Sequence, residues 1–349
     1  MMRSTAEGAV SFAAAFTSGG VSSSKKKSVR VVLVTLDGVR PREFFGKPDP
    51  ALLSPESSLD RDAPVFNSFW KKRAAEGVIY GGPGNRARMW ISNPVMYSLP
   101  AYRTIFAGRL QYCFSNNCGR IQEETLVERL LRELKLPAGE VAAFASWEKI
   151  KYALESREGS CLVNTGLNPL LMDDPVHRRL NRDQEKNNPA EWKGARLDRF
   201  TFAHALRYLK KSKPRFLYIS LNDSDEWAHL NDYEKYLGSL KYYDRMLEKL
   251  IRVIDSMKGE TTLIVTTDHG RGRGDDFRKH GLTRAAAPIW LYARGPRVRT
   301  GANIERVENR SFFSHLDIRP TIEALFGIRP RECAFCGLPL RAVAFPSEP

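Results

Sequence analysis

The segment VRVVLVTLDG, residues 29–38, decides the fold class. Its first eight residues are apolar or β-branched apart from Arg30, and they lead directly into Asp37 and Gly38. Continuous runs of this kind are typical of strands that are buried on both faces, as in parallel sheets. Open α/β sheets place their ligands at the carboxyl ends of such strands. The segment therefore predicts a buried strand that carries Asp37 to a functional edge.

Similar short apolar runs recur along the chain, separated by amphipathic stretches. The runs lie at residues 140–145, 216–221, 262–267 and 288–293. Apolar residues at three- and four-residue spacing predict helices at 126–134, 197–211 and 233–257. Strands that alternate with helices predict an α/β fold, a three-layer α/β/α sandwich with a central, mostly parallel sheet.

The composition along the chain predicts one domain behind a leader. Residues 1–28 are rich in Ser, Gly, Ala and Lys without periodicity, which is typical of a flexible leader. We expect residues 29–349 to form a single catalytic domain. The polar stretch at 171–195 carries Asn187-Asn188-Pro189 and predicts a surface insertion.

The chain has a formal net charge of +15, because 55 Lys and Arg face 40 Asp and Glu. This charge favours anionic substrates, nucleic acid or anionic membrane surfaces, and it does not choose among them. The basic residues are spread out without the aromatic interleaving of RNA-binding proteins, so nucleic acid is expected only as a possible substrate. No apolar run approaches the ~20 residues of a membrane-spanning helix. A signal peptide is not convincing, and both compartment and oligomeric state stay open.

Four of the five cysteines are closely spaced in pairs. Cys113 with Cys118, and Cys333 with Cys336, could each close a small loop in an oxidising compartment. The second pair could equally be a reduced dithiol or half of a zinc site, although no second CxxC accompanies it.

Metal-binding residue types follow several predicted strands. Asp225 and His229 come after the run at 216–221, and their four-residue spacing places them on one face of a helix. Asp268 and His269 end the run at 262–267, where Gly270 allows a turn that brings both to one cluster. His280 lies at the end of the next, Gly- and Arg-rich loop.

Together with Asp37, these residues make a set of three carboxylates and three imidazoles. Mixed oxygen and nitrogen ligands suit Zn²⁺, with Mn²⁺ second and Ca²⁺ disfavoured. Six ligands divide into two sites of three and leave positions for a nucleophile and a substrate oxygen. The set therefore predicts two divalent metal ions that assist in-line displacement at phosphorus.

Ser98 is the candidate nucleophile. It precedes Pro100, a residue favoured in the first turn of a helix, so its side chain is expected at a helix N-terminus. Ser98 could act only as a helix cap. Alternatively, the helix end attracts a phosphate while a metal stabilises the Ser98 alkoxide.

The pattern of Asp37, Ser98-Leu99-Pro100, Asp225-x-x-x-His229, Asp268-His269-Gly270 and His280-Gly281 resembles the alkaline phosphatase superfamily. It is most similar to the nucleotide pyrophosphatase/phosphodiesterase branch, from about residue 29 to residue 340. The resemblance implies a metal-dependent phosphoric ester hydrolase that acts on an anionic phosphate ester and forms a phosphoserine intermediate on Ser98.

The resemblance also implies how the ligands divide. One metal would be held by Asp225, His229 and His280, and the other by Asp37, Asp268, His269 and the Ser98 oxygen. An Asn that contacts phosphate in this branch could be Asn116 or Asn117. The segment His315 to Ile322 looks like the closing helix of the family, for which packing or capping is expected.

Two other functions compete with phosphate ester hydrolysis. Sulfatases share the fold and carry Cys/Ser-x-Pro-x-Arg, whereas here Tyr102 follows Ala101 and Arg103 comes one position late. A basic nucleic-acid-binding module without catalysis would leave the ligand set unexplained. No arginine directly follows Ser98, which favours diesters or phosphonates over monoesters among substrates of the resembled family.

Overall fold

The structure is a computed structural model that describes residues 28–84, 86–300 and 304–344. The predicted leader therefore lies outside the described residues except for Ser28, whose carbonyl accepts a hydrogen bond from Glu260 N–H at 3.2 Å. Nine strands occur in the described ranges: β1 Val29–Leu36, β2 Gly77–Tyr80, β3 Arg88–Met89, β4 Val141–Ala145, β5 Leu162–Thr165, β6 Phe216–Leu221, β7 Glu260–Thr266, β8 Leu291–Arg294 and β9 Phe312–Phe313.

Helices connect most of these strands. In chain order the α-helices of the described ranges are α1 Pro41–Phe45, α2 Asn67–Arg73, α3 Ser98–Ala107, α4 Leu126–Leu134, α5 Lys151–Leu154, α6 Pro175–Asn187, α7 Asp198–Ser212, α8 Asp223–His229, α9 Tyr233–Asp255, α10 Ile304–Glu308, α11 Ile318–Leu325 and α12 Arg341–Ala344. None of the helices in this part of the chain combines the length and apolar composition that crossing a membrane requires.

Seven strands form one sheet in the order β2-β8-β7-β1-β6-β4-β5. Strands β7, β1, β6, β4 and β5 pair in parallel, and β8 pairs antiparallel with both β7 and β2. Helices pack on both faces. The predicted α/β sandwich with a mostly parallel sheet is therefore confirmed.

Strand β1 shows why the chain forms three layers. Val31 and Leu33 belong to the apolar cluster on one face of the sheet, with residues of α3, α4 and α11. Val32, Val34 and Leu36 belong to the cluster on the other face, with residues of α2, α7 and α9. Because side chains alternate along a strand, an unbroken apolar run is what a strand between two cores requires.

The segment predicted as a surface insertion contains helix α6. Asp174 caps this helix by accepting hydrogen bonds from Val176 N–H and His177 N–H. His177 is buried and stacks on His204 of α7, with the two Nδ1 atoms 2.8 Å apart. One imidazole must donate and the other accept, so the contact requires at least one neutral ring.

We expect this histidine pair to weaken the fold in acid. Burial, with the charge of Arg196, lowers the pKa of His204 from 6.5 to about 3. Below pH 6.5 the unfolded chain gains a proton that the folded chain does not, so stability falls as the pH decreases towards about 3. Replacing His204 by Phe should reduce the slope of unfolding free energy against pH by roughly 1.4 kcal/mol per pH unit. Urea unfolding between pH 7 and 4.5 measures this, and an unchanged slope would contradict it.

Candidate metal centre

The predicted ligands meet at the carboxyl edge of the parallel strands. Asp37 follows β1, helix α8 with Asp225 and His229 follows β6, and Asp268 with His269 follows β7. His280 reaches the same place through the loop that precedes β8. One group of potential ligand atoms comes from Asp37, Asp268 and His269, and a second from Asp225, His269 and His280, with all atoms of a group within 4.8 Å of one another.

Each carboxylate of the first group has one oxygen that accepts a hydrogen bond from the protein and one that has no hydrogen-bond partner. Asp37 Oδ2 accepts a hydrogen bond from Tyr102 O–H at 2.9 Å, while Oδ1 is buried without a partner. Asp268 Oδ1 accepts from Gly38 N–H at 3.1 Å and from His269 N–H at 2.8 Å, while Oδ2 is buried without a partner. Buried carboxylate oxygens without donors are costly unless a cation faces them. This pair of oxygens fits a divalent metal ion.

Backbone carbonyls fix the tautomers of two of the histidines. His269 Nδ1 lies 2.8 Å from the Gly270 carbonyl, and His280 Nδ1 lies 2.7 Å from the Met96 carbonyl. Each Nδ1 must therefore carry the proton, which leaves both Nε2 lone pairs for a ligand or cation. The two rings stack with centroids 3.9 Å apart, so both Nε2 atoms belong to one cluster.

His229 lies beside the second group, although it is not one of the three residues whose ligand atoms all lie within 4.8 Å of one another. Its Nε2 lies 3.0 Å from Asp225 Oδ2 and 3.1 Å from His280 Nε2. The three residues that were expected to share one metal are therefore in mutual contact. His269 lies between the two groups, with Nε2 3.4 Å from Asp268 Oδ2, 3.5 Å from Asp37 Oδ1 and 3.9 Å from Asp225 Oδ1.

The titration behaviour of these groups follows from their burial. Burial and the charges of Asp268 and Asp225 hold the pKa of Asp37 well above its usual value, and burial with the charge of Asp225 raises the pKa of Asp268 to about 7. Burial lowers the pKa of His269 well below 6.5 and that of His280 to about 4. Neutral imidazoles can coordinate a metal ion directly. A bound cation would also stabilise the ionised form of the buried carboxylates.

Ser98 occupies the predicted position beside the first group. It is the first residue of α3, it is buried, and its hydroxyl lies 3.1 Å from His269 Nε2. The next backbone amide, Leu99 N–H, donates to Asn116 Oδ1 at 3.0 Å. Of the two asparagines that were expected as alternatives, the structure therefore brings Asn116 to the helix end that carries Ser98.

The backbone of Gly38 has a conformation that requires glycine. Its φ is +66°, and a Cβ there would lie 2.7 Å from Asp225 Oδ1. Only glycine combines this left-handed backbone with such a close approach. Glycine at this position thus lets the carboxylates of Asp37 and Asp225 lie close together.

Arg271 is a member of the site that the sequence did not reveal. Its side chain is fully buried, and Nη1 forms an ion pair with Asp225 Oδ1. Nε and Nη2 donate to the carbonyls of Phe277 and Arg278 at 2.9 and 2.7 Å. Although burial opposes ionisation, the Arg271 guanidinium holds the pKa of Asp225 well below its usual range.

His315 has a supporting role. Its Nε2 donates to the Thr267 carbonyl at 2.9 Å, directly before Asp268. Ser314 and Asp317 form a reciprocal cap at the start of this segment. The contacts agree with the packing and capping role expected for the segment that begins at His315.

Comparison with known proteins supports a metalloenzyme. Residues 196–330 match the sequence pattern of the Metalloenzyme superfamily. This segment is similar to that superfamily. It contains Asp225, His229, Asp268, His269 and His280, whereas Asp37 and Ser98 precede it. The similarity implies divalent metal ions.

Curated relatives of the chain include phosphopentomutases. That of Lachnoclostridium phytofermentans is 31% identical over 100 residues, which make up 28% of this chain and 24% of the relative. The match thus spans about a quarter of the relative's length.

Solved structures extend the similarity of fold over most of the chain. A lipoteichoic acid synthase from Listeria monocytogenes superposes with a TM-score of 0.59 at 11% identity, covering 91% of this chain and 76% of its own. A 2-O GAG sulfatase superposes with a TM-score of 0.56 at 13% identity, covering 91% and 74%. The fold expected from the resemblance to the alkaline phosphatase superfamily is confirmed. Its nucleotide pyrophosphatase/phosphodiesterase branch stays a prediction.

We expect Arg271→Met to destabilise the metal-free protein by roughly 3 kcal/mol, because it leaves the buried Asp225 carboxylate without its counter-ion. The added change Asp225→Asn should restore part of that loss. As a matched control, Lys279→Met removes the exposed ion pair with Asp276 and should cost under about 1 kcal/mol. Urea unfolding in the presence of a chelator measures all four proteins, and equal effects of Arg271→Met and Lys279→Met would contradict the assignment.

Proposed function

We propose that the chain is a metal-dependent phosphoric ester hydrolase that uses Ser98 as its nucleophile. One observation carries the proposal. The Ser98 hydroxyl, at the first residue of α3, lies 3.1 Å from His269 Nε2, in the group where Asp37 and Asp268 each present an unpartnered buried oxygen. A nucleophile, a candidate cation site and a helix N-terminus are thus combined at one point.

The residues fit two divalent metal ions, which we propose to be Zn²⁺, with Mn²⁺ as the second choice. Asp37, Asp268, His269 and Ser98 would hold one ion, and Asp225, His229 and His280 would hold the other. When bound, the ions would supply Lewis acidity and lower the pKa of the serine hydroxyl. Arg271 pairs with Oδ1 of Asp225. Oδ2 is therefore the oxygen of this carboxylate that lies beside His229.

The chain's own residues then orient the reaction. Ser98 Oγ would form a bond to phosphorus as the bond to the leaving alkoxide breaks in line, and the proton lost by Ser98 balances the one that the alkoxide gains. Water would then attack phosphorus from the vacated side, and the bond from phosphorus to Ser98 Oγ would break as one proton of the water returns to Ser98. The product is phosphate from a monoester or a phosphate monoester from a diester. The N-terminal end of α3 favours the anionic phosphoryl group. Asn116, whose Oδ1 accepts from Leu99 N–H, brings its amide group to the same helix end.

We further propose that this enzyme is one catalytic domain from residue 29 onward, with the segment around 171–195 as an insertion. The ligands of both groups follow β1, β6 and β7 or lie in the loop before β8. These four strands belong to one seven-stranded sheet. The curated relatives are named phosphopentomutases, a name that refers to a phosphoryl compound, which agrees with phosphorus as the reacting atom.

The test is Ser98→Ala, assayed with p-nitrophenyl phosphate, bis-p-nitrophenyl phosphate and p-nitrophenyl sulfate. We expect the native chain to hydrolyse at least one phosphate ester and kcat to fall by about 10³-fold or more in the variant, since the covalent intermediate cannot form. Mass spectrometry of acid-quenched native enzyme should locate phosphate on the peptide that contains Ser98.

Ser256→Ala serves as the matched control, because Ser256 is an exposed serine at the end of α9. Its kcat should equal that of the native chain. Undiminished phosphate ester cleavage by a folded Ser98→Ala variant would contradict the proposal. Cleavage of the sulfate ester alone, with formylglycine at position 98, would indicate a sulfatase.

A further inference from the structure

A groove of about 800 Å³ lies beside helix α3, outside the ligand cluster. Its size is within the range of small-molecule sites, roughly 300–1,000 Å³. None of the seven candidate site residues lines it. Its walls include Leu110, Tyr112, Phe114 and Phe335, and its lining also contains Arg103.

Two disulfide-closed loops build the walls of this groove. The bond between Cys113 and Cys118 closes the loop that carries Phe114, and the bond between Cys333 and Cys336 closes the loop that carries Phe335. The second loop is attached to the end of α3 by a hydrogen bond from Gly337 N–H to the Gly108 carbonyl at 3.0 Å. Short covalent loops lose little conformational freedom when a ligand binds.

The walls expose apolar surface that the fold does not cover. Tyr112 is 95% exposed and Phe335 is 72% exposed, and Leu110 and Phe114 are exposed beside them. Isolated exposed apolar residues are common, but several that line one concave surface indicate a binding site.

Arg103 supplies the polar group of the groove. It is only 8% exposed, and its Nε is buried without a hydrogen-bond partner. Its Nη1 makes one long hydrogen bond, 3.4 Å, to the Gly119 carbonyl. Among the residues that the structure describes, no carboxylate forms an ion pair with it. A buried guanidinium with unused donors is costly unless an anion satisfies it.

The carboxylate of the groove is already engaged. Glu123 accepts from Arg109 Nε at 2.6 Å and from Gln111 Nε2 at 2.5 Å, and Arg331 lies 3.8 Å from it. Burial lowers the pKa of Arg103, and the charge of Glu123 offsets this only in part, since Glu123 also pairs with Arg109. The charge of the groove is therefore complementary to an anion, and its walls are complementary to an apolar body.

We propose that this groove binds an organic anion with an aromatic or aliphatic body, whose acidic group pairs with Arg103. The apolar body lies between Phe114 and Phe335, and the anionic group replaces the missing partner of the guanidinium. The site is distinct from the metal centre and does not depend on metal or on Ser98 chemistry. The loop that carries Phe114 also carries Asn116, so a bound ligand contacts the loop that reaches the start of α3.

The test uses two fluorescent probes of nearly equal shape, anilinonaphthalene sulfonate and its uncharged analogue N-phenylnaphthylamine. Both are titrated into the full chain in the presence of a chelator. We expect Arg103→Gln to weaken binding of the sulfonate about tenfold or more, through loss of a charge-assisted hydrogen bond, and to leave the neutral probe unaffected. Arg103→Lys should recover part of the sulfonate affinity, and Phe335→Ala should weaken both probes.

The matched control is Arg179→Gln, which removes an exposed arginine from α6. It should leave both affinities unchanged, and Ser98→Ala should do the same. Equal sulfonate affinity in the native chain and in Arg103→Gln would overturn the proposal, as would an equal loss in Arg179→Gln. Because Phe335 is exposed, Phe335→Ala is expected to fold even if Arg103→Gln does not. Unchanged binding of both probes to Phe335→Ala would also overturn the proposal.

Discussion

Three buried aspartates converge on a single imidazole nitrogen, and the rest of the site depends on how their charges are neutralised. Asp37, Asp225 and Asp268 each place an oxygen within 3.9 Å of His269 Nε2. Like charges this close, away from water, cannot all be ionised without cations. Arg271 compensates Asp225, whereas Asp37 and Asp268 retain oxygens without any donor. Protons or cations must neutralise this arrangement, and the similarity to a metalloenzyme superfamily implies that divalent metal ions do so.

The sheet makes the convergence possible. Parallel strands β1, β6 and β7 end at the same edge, so side chains far apart in sequence become neighbours there. The candidate ligands are then oriented by groups that do not themselves bind metal. Tyr102 holds Asp37, backbone amides hold Asp268, and backbone carbonyls set the histidine tautomers. Those contacts fix the orientation of the candidate ligand side chains.

Periodicity and residue type predicted much of this from sequence. Strand Phe216–Leu221 and helix Leu126–Leu134 have the predicted bounds, because long apolar runs and regular amphipathic spacing are local properties. Strands Gly77–Tyr80 and Leu162–Thr165 were missed, since four residues at the sheet edges carry too little pattern. Arg271 was missed for a different reason. An arginine in a polar, glycine-rich loop resembles a solvated one, and only the fold shows that it is buried against Asp225.

We propose that the strand ends hold two metal ions beside Ser98. Anomalous X-ray scattering at the zinc absorption edge, from crystals grown with Zn²⁺, tests it most directly. We predict two peaks, one within coordination distance of Asp37, Asp268 and His269, and the other within coordination distance of Asp225, His229 and His280. Absence of a peak from both groups, or peaks only at other residues, would contradict it.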